Sequence, residues 1–149
     1  MPSSTACSTP PNSRRAASRP EPAAMSPRRE HIERCLAGTR IDADPVGTAV
    51  AAIPDGEAHV WYRLPLRPAA VLLPLVERSD GVHLMLTERN RDLAEHAGQV
   101  ALPGGRADAE DSDATATALR EAREEIGLAM AQVELAGYLP PQPVITGYA

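Results

Sequence analysis

The 149-residue sequence has no phenylalanine and no lysine, and only two cysteines, one tryptophan and three tyrosines. Cys7 and Cys35 stand in no metal-like spacing. A disulfide framework is therefore not expected, and a reducing cytoplasm is the expected compartment. No apolar run approaches the ~18 residues of a transmembrane helix, and no hydrophobic core of a signal peptide is present. No membrane partner is expected. Every basic side chain is arginine, and the charge is uneven. Residues 1–34 carry six Arg against three Glu, a net of +3, and the remainder carries nine Arg against seventeen acids, a net of -8. That acidic body has no basic patch with interleaved aromatics, which argues against nucleic acid as a partner. Excess acid suits a site that recruits a cation before it binds a polyanion.

What is abundant is proline, fifteen in all. Residues 1–29 are a tail of Pro, Ser, Ala and Arg, the composition of a disordered segment. Its Arg- and Ser-rich, acid-poor opening has a transit-peptide composition, but the prolines break an amphipathic helix. Met25 is an alternative start. Residues 30–68 are read as a short helix and a connector. The helix covers residues 30–37, with Ile32, Cys35 and Leu36 on one side and Gly38 closing it. The connector is punctuated by Pro45, Pro54, Pro65 and Pro68. Within it, residues 58–64 read as a strand whose Trp61 and Tyr62 either fill a core or stack on a nucleobase.

Residues 69–149 carry the chain's clearest strand and helix signals. Residues 69–76 are expected to form a buried strand interrupted at Pro74. Residues 82–87 alternate as a second strand, and Ser79-Asp80-Gly81 turns the two into a hairpin. Residues 132–139 alternate through Val133, Leu135 and Gly137 as a further strand.

Between them lies the informative stretch, residues 102–128. Ser112 or Asp113 is a good N-cap, Ala, Leu, Arg and Glu fill a helix, and Gly127 ends it. At about 100° per residue, Thr115, Ala118, Leu119, Ala122 and Ile126 share an inward arc, while Glu121, Glu124 and Glu125 crowd one edge. Glu121 and Glu125 are like charges at i,i+4, which cost an isolated helix about 0.2–0.5 kcal/mol. The edge is either a solvated acidic face with Arg120 and Arg123 as neutralisers, or a seat for a hard divalent cation. Upstream, Gly104 and Gly105 follow an apolar segment and allow close backbone approach to a ligand or metal.

The run Arg120-Glu121-Ala122-Arg123-Glu124-Glu125-Ile126-Gly127-Leu128 resembles the second half of the Nudix hydrolase signature, GX5EX7REUXEEXGU with U aliphatic. The first half departs. One extra residue separates Gly105 from Arg120, and Asp111 stands where Glu is usual. That expansion resembles the coenzyme A pyrophosphatase branch. So does the lead-in Leu86-Thr87-Glu88-Arg89, followed by His96-Ala97-Gly98-Gln99-Val100-Ala101-Leu102-Pro103-Gly104-Gly105. Three positions differ from the branch: Asn90 replaces a small residue, Ala94 an arginine and Leu102 a phenylalanine.

The resemblance implies an α/β/α sandwich with a mixed sheet, here C-terminally incomplete because such domains continue with more strands and a second long helix. It implies Mg²⁺ or Mn²⁺ held by Glu121 and Glu125, with Glu124 completing the cluster and the Gly105 carbonyl as a further ligand. Arg120 would position the carboxylates, and Gly104, Gly105 and Arg89 would face the substrate. For Arg89 a phosphate contact and a solvated loop position both stand open, and a structural role is expected of His96. The implied reaction is pyrophosphate hydrolysis in a nucleoside diphosphate derivative, coenzyme A or acyl-CoA. ADP-ribose or a dinucleotide is the alternative, as is a truncated nucleotide-binding fragment without activity.

Overall fold

The computed structural model of the chain describes residues 26–56, 60–89 and 98–149. Residues 1–25, Asn90, Ala94 and His96 lie outside the described residues.

Helix α1 (Pro27–Leu36) begins inside the expected tail, at Pro27. Ser26 sets that start: its hydroxyl accepts from the Arg29 N–H at 3.3 Å, and Pro27 has no N–H to satisfy. The inward face is weaker than expected, since Ile32 and Leu36 are half-buried and Cys35 is exposed.

The connector contains a helix the sequence reading lacks, α2 (Pro45–Ala51). Asp44 caps it by accepting from Gly47 N–H at 3.0 Å. Gly47, Thr48 and Val50 are poor helix formers, which hides the signal; packing supplies what propensity does not. Ala49, Ile53 and Leu66 form a buried cluster with Val46, Tyr62 and Ala149 against it. The expected strand over 58–64 is not formed in its described part. Val60 and Trp61 lie in a 3-10 turn, and Trp61 is 72% exposed, so it fills no core.

Six short strands follow: β1 (Ala69–Val71), β2 (Leu75–Arg78), β3 (Gly81–Leu84), β4 (Thr87–Glu88), β5 (Val100–Ala101) and β6 (Gly104–Arg106). Pro74 separates β1 from β2, and β2 pairs with β3 across the Ser79-Asp80 turn, Arg78 opposite Gly81. This is the expected hairpin, although β2 is not buried: Leu75 is 46% exposed. β1 takes a distant partner, β6, in an antiparallel ladder pairing Ala70 with Gly105 and Val71 with Gly104. β4 pairs with β5.

The α/β character holds. Among the described residues, however, the strands make three separate two-stranded antiparallel ladders, not one mixed sheet. The parallel component among them is one isolated bridge, Arg67 to Tyr148. Prolines 74 and 103 lie at ladder ends, where a missing N–H limits extension.

Helix α3 (Ala114–Ile126) runs from an Asp113 cap, which accepts from Ala116 N–H at 2.9 Å, to Gly127 in the left-handed region at φ 68°. It packs on β1 and β6. Its buried side chains are Thr117, Ala118 and Ala122. The buried stripe is thus turned toward the carboxylate edge, and Thr115, Leu119 and Ile126 are only half-buried. The expected strand over 132–139 is absent. A 3-10 turn (Met130–Gln132) leads into extended chain, where Gly137 at φ 157° breaks the strand conformation. Val71, Leu73, Leu75, Leu84, Leu86 and Val100 stand 42–65% exposed.

Candidate functional site

Two adjacent glycines decide how α3 meets the sheet. Leu72 N–H donates to the Pro103 carbonyl at 2.8 Å, and Ala107 N–H donates to Pro68 at 3.1 Å. Alternation along an antiparallel ladder then puts Gly105 at a hydrogen-bonded position and Gly104 at a non-bonded one. The Gly104 N–H is free of the ladder and donates to Glu125 Oε2 at 3.2 Å. Gly104 has φ 155°, and a Cβ there would lie 2.6 Å from Val71 Cα. At Gly105 a Cβ would lie 2.5 Å from Glu121 Cδ and 2.6 Å from its Oε1. The missing side chain is the space the Glu121 carboxylate occupies. That is why the helix can turn its acidic edge toward the sheet.

Arg120 organises the carboxylates. Its Nε and Nη2 donate to Asp111 Oδ1 at 3.0 Å and Oδ2 at 2.9 Å, a two-pronged pairing. Nη2 also donates to the Arg106 carbonyl at 2.9 Å, and Nη1 to Glu121 Oε1 at 2.9 Å. Glu124 Oε2 lies 3.6 Å from Nη1 and Asp108 Oδ2 3.8 Å from Nη2. The Asp111 side chain is 7% exposed and that of Arg120 20%. Asp111 also accepts from Asp108 N–H and from the Thr117 hydroxyl, each at 2.9 Å. The Arg120 guanidinium, then the Asp108 N–H, hold the Asp111 carboxyl well below the usual carboxylate range. Asp111, and after it Glu121, raises the Arg120 pKa further above its ordinary value.

The structure therefore brings together Gly104, Gly105, Arg120, Glu121 and Glu125, with Glu124 at the rim, its side chain 55% exposed. Arg89 stands apart. Its backbone pairs with Gln99 and Gly98. Among the described residues, no hydrogen bond or ion pair joins its side chain to the α3 cluster. Thr117 and Asp108 are members the sequence did not single out. Nothing in a threonine between alanines signals a buried donor; for Asp111, its motif position ahead of Arg120 was the available sign.

In donor chemistry the cluster fits a hard divalent cation, offering carboxylate and peptide oxygens and no sulfur or imidazole. In its present rotamers it is spread out. Among the described residues, no three His, Cys, Asp or Glu groups are gathered closely enough to hold a metal ion. Glu121 is drawn toward Arg120 and Glu125 toward the Gly104 N–H, while Glu124 and Glu125 are exposed.

The chain belongs to the Nudix family: the NUDIX domain profile matches residues 65–147. It is 51% identical over 82 residues to the Uncharacterized Nudix hydrolase NudL of Escherichia coli (strain K12). It is 50% identical over the same length to proteins of that name from Escherichia fergusonii and Escherichia coli O139:H28. Each match covers 55% of this chain and 42% of the relative, so the matched stretch spans less than half the length of these curated relatives.

Proposed function

We propose that this chain carries the metal-binding and hydrolytic element of an enzyme that cleaves the pyrophosphate bond of a nucleoside diphosphate derivative, with coenzyme A or acyl-CoA as substrate. The observation that supports it most is the Glu121 carboxylate filling the space above Gly105 while Arg120 holds it at 2.9 Å. Glu121 and Glu125 would hold Mg²⁺ or Mn²⁺, with Glu124 and the Gly105 carbonyl completing the set. Once bound, the cation neutralises pyrophosphate charge and lowers the pKa of a water. Arg120 fixes Glu121, and the Gly104 N–H orients Glu125. Gly105 leaves room for the Glu121 carboxylate, Gly104 and Gly105 would face the substrate, and Arg89 is assigned a phosphate contact. The free, exposed thiol of Cys35 suits a reducing cytoplasm, and among the described residues no helix is long and apolar enough to cross a membrane.

The coenzyme A assignment rests on the lead-in from Leu86 to Gly105 and on the Asp111 spacing. Ala94, in place of an arginine, favours a second reading, ADP-ribose or a dinucleotide. The 42% coverage of the relatives and the exposed apolar strand residues favour a third: one part of a longer domain, binding nucleotide without turnover. One experiment separates them: turnover of a panel of coenzyme A, acyl-CoA, ADP-ribose and dinucleotides with Mg²⁺ or Mn²⁺, with products identified. Coenzyme A should give a 3′,5′-adenosine bisphosphate and a phosphopantetheine. Glu125→Gln should abolish metal-dependent turnover with an unchanged melting temperature, because the amide oxygen still accepts from Gly104. Retained turnover in that variant contradicts the ligand assignment. Calorimetric nucleotide binding without turnover supports the third reading.

A further inference from the structure

Thr117 is the one fully buried polar side chain among the described residues, at 0% exposure. A hydroxyl has one proton to give. Its Oγ1 lies 2.9 Å from Asp111 Oδ2 and 3.3 Å from the Asp113 carbonyl one turn back. The shorter contact, to a charged acceptor, is the stronger of the two. Helix position alone would have sent the proton to the i−4 carbonyl. Instead Asp111 Oδ2 collects three donors: Thr117, Asp108 N–H and Arg120 Nη2, each at 2.9 Å.

Those three donors fix the plane of the carboxylate. The plane in turn fixes the fork of Arg120, whose second Nη2 proton is held by the Arg106 carbonyl. With Nε and Nη2 committed, only Nη1 faces the acidic edge, and it meets Glu121 at 2.9 Å with Glu124 at 3.6 Å. The geometry points to Thr117 as a positioning residue for the acidic edge. Among the described residues its hydroxyl bonds none of the carboxylates on α3, but it locks Asp111, which locks Arg120, which sets the place of Glu121. This inference rests on the metal reading for its consequence in binding; the locking itself does not depend on it.

The test compares Thr117→Val, which keeps the shape and removes the donor, with Thr117→Ser, which restores it. Where the valine variant does not fold, Thr117→Ala replaces it. The metal-free full chain is labelled with ¹⁵N, and hydrogen exchange of the Arg120 Nε–H is read by NMR. Exchange should be slow in wild type and in Thr117→Ser, and at least tenfold faster in Thr117→Val. Mn²⁺ titration, with the ion's own paramagnetic signal as readout, should show Kd raised about 10- to 100-fold in Thr117→Val and restored in Thr117→Ser. Wild-type exchange in Thr117→Val would overturn the inference, as would equal loss in the serine variant. If the wild type binds no Mn²⁺, the proposed function fails, and the exchange comparison still decides the role of Thr117.

Discussion

Alanine at the two glycines should have opposite consequences, although the residues are neighbours on one strand. In Gly105→Ala the new Cβ meets Glu121 Cδ at 2.5 Å and its carboxylate oxygens at 2.6 and 2.7 Å, where ordinary contact begins near 3.4 Å. Gly105 is not in the positive-φ region, so the backbone accepts the change. What must yield is the end of a flexible side chain, by about 1 Å. That motion carries Glu121 Oε1 out of its 2.9 Å contact with Arg120 Nη1. The fold loses little, because a glycine replaced without strain gains about 0.4–1 kcal/mol through the unfolded state. The expected result is stability within about 1 kcal/mol of wild type, with Mn²⁺ affinity down about 10- to 100-fold. In Gly104→Ala the obstacle is backbone: Val71 Cα at 2.6 Å, the Ala70 carbonyl, and a φ of 155° that disfavours a side chain. Neither can move without parting β1 from β6. That should cost about 2 kcal/mol or more from strain and overpacking together. Urea melts and Mn²⁺ titration on both variants check the pair. Wild-type Mn²⁺ affinity in Gly105→Ala, or a stability loss there as large as in Gly104→Ala, would refute the account of how the helix sits on the glycine strand.

Gly127 at φ 68° has open space around its Cα, so Gly127→Ala should cost only the left-handed backbone penalty, about 1 kcal/mol, read in thermal melts as a loss of a few degrees. Asp111 gives a pH signature. Its folded pKa is depressed, so its stabilising contribution is complete above the ordinary carboxylate value of about 4 and is lost as pH falls through the lower folded value. The stability difference between wild type and Asp111→Asn, from denaturant melts, should therefore be constant near neutral pH and shrink below about pH 4. A difference unchanged down to pH 2 would contradict the pairing with Arg120.

How much the sequence disclosed follows the range of each interaction. The α3 boundaries were legible because cap and stop are local: Asp113 bonds three residues ahead, and Gly127 needs only its own φ. The β2–β3 hairpin was legible for the same reason, its turn being two residues. The pairing of β1 with β6 brings Ala70 to Gly105, 35 residues apart in sequence, and no local pattern encodes it. Ala118 and Ala122 go inward as expected, but the rest of the helix face is shifted, because periodicity assumes that apolar residues go inward. Here the missing side chain at Gly105 makes room for the Glu121 carboxylate, while Leu119 and Ile126 stay half-buried. The strand expected over 132–139 failed for a related reason: among the described residues, alternation of Val133 and Leu135 has no pairing strand to act on. Helix α2 was hidden because its stability comes from Ile53 and Leu66.

The acidic edge carries its own electrostatic argument. Arg120 lies within 4.0 Å of Asp108, Asp111, Glu121 and Glu124, one positive charge among four negative ones, and Glu125 adds a fifth against an amide N–H. The guanidinium fork is spent chiefly on Asp111, the most buried member, so the excess charge is left on the exposed glutamates. Like charges so placed repel; Glu121 and Glu124 share Arg120 Nη1, and Glu125 turns to the Gly104 N–H. A merely solvated acidic face has no need of a buried threonine, a two-pronged arginine and a side-chain-free strand position under Glu121. The investment of buried polar groups in the orientation of Glu121 is what supports the proposed cation seat over a solvated face.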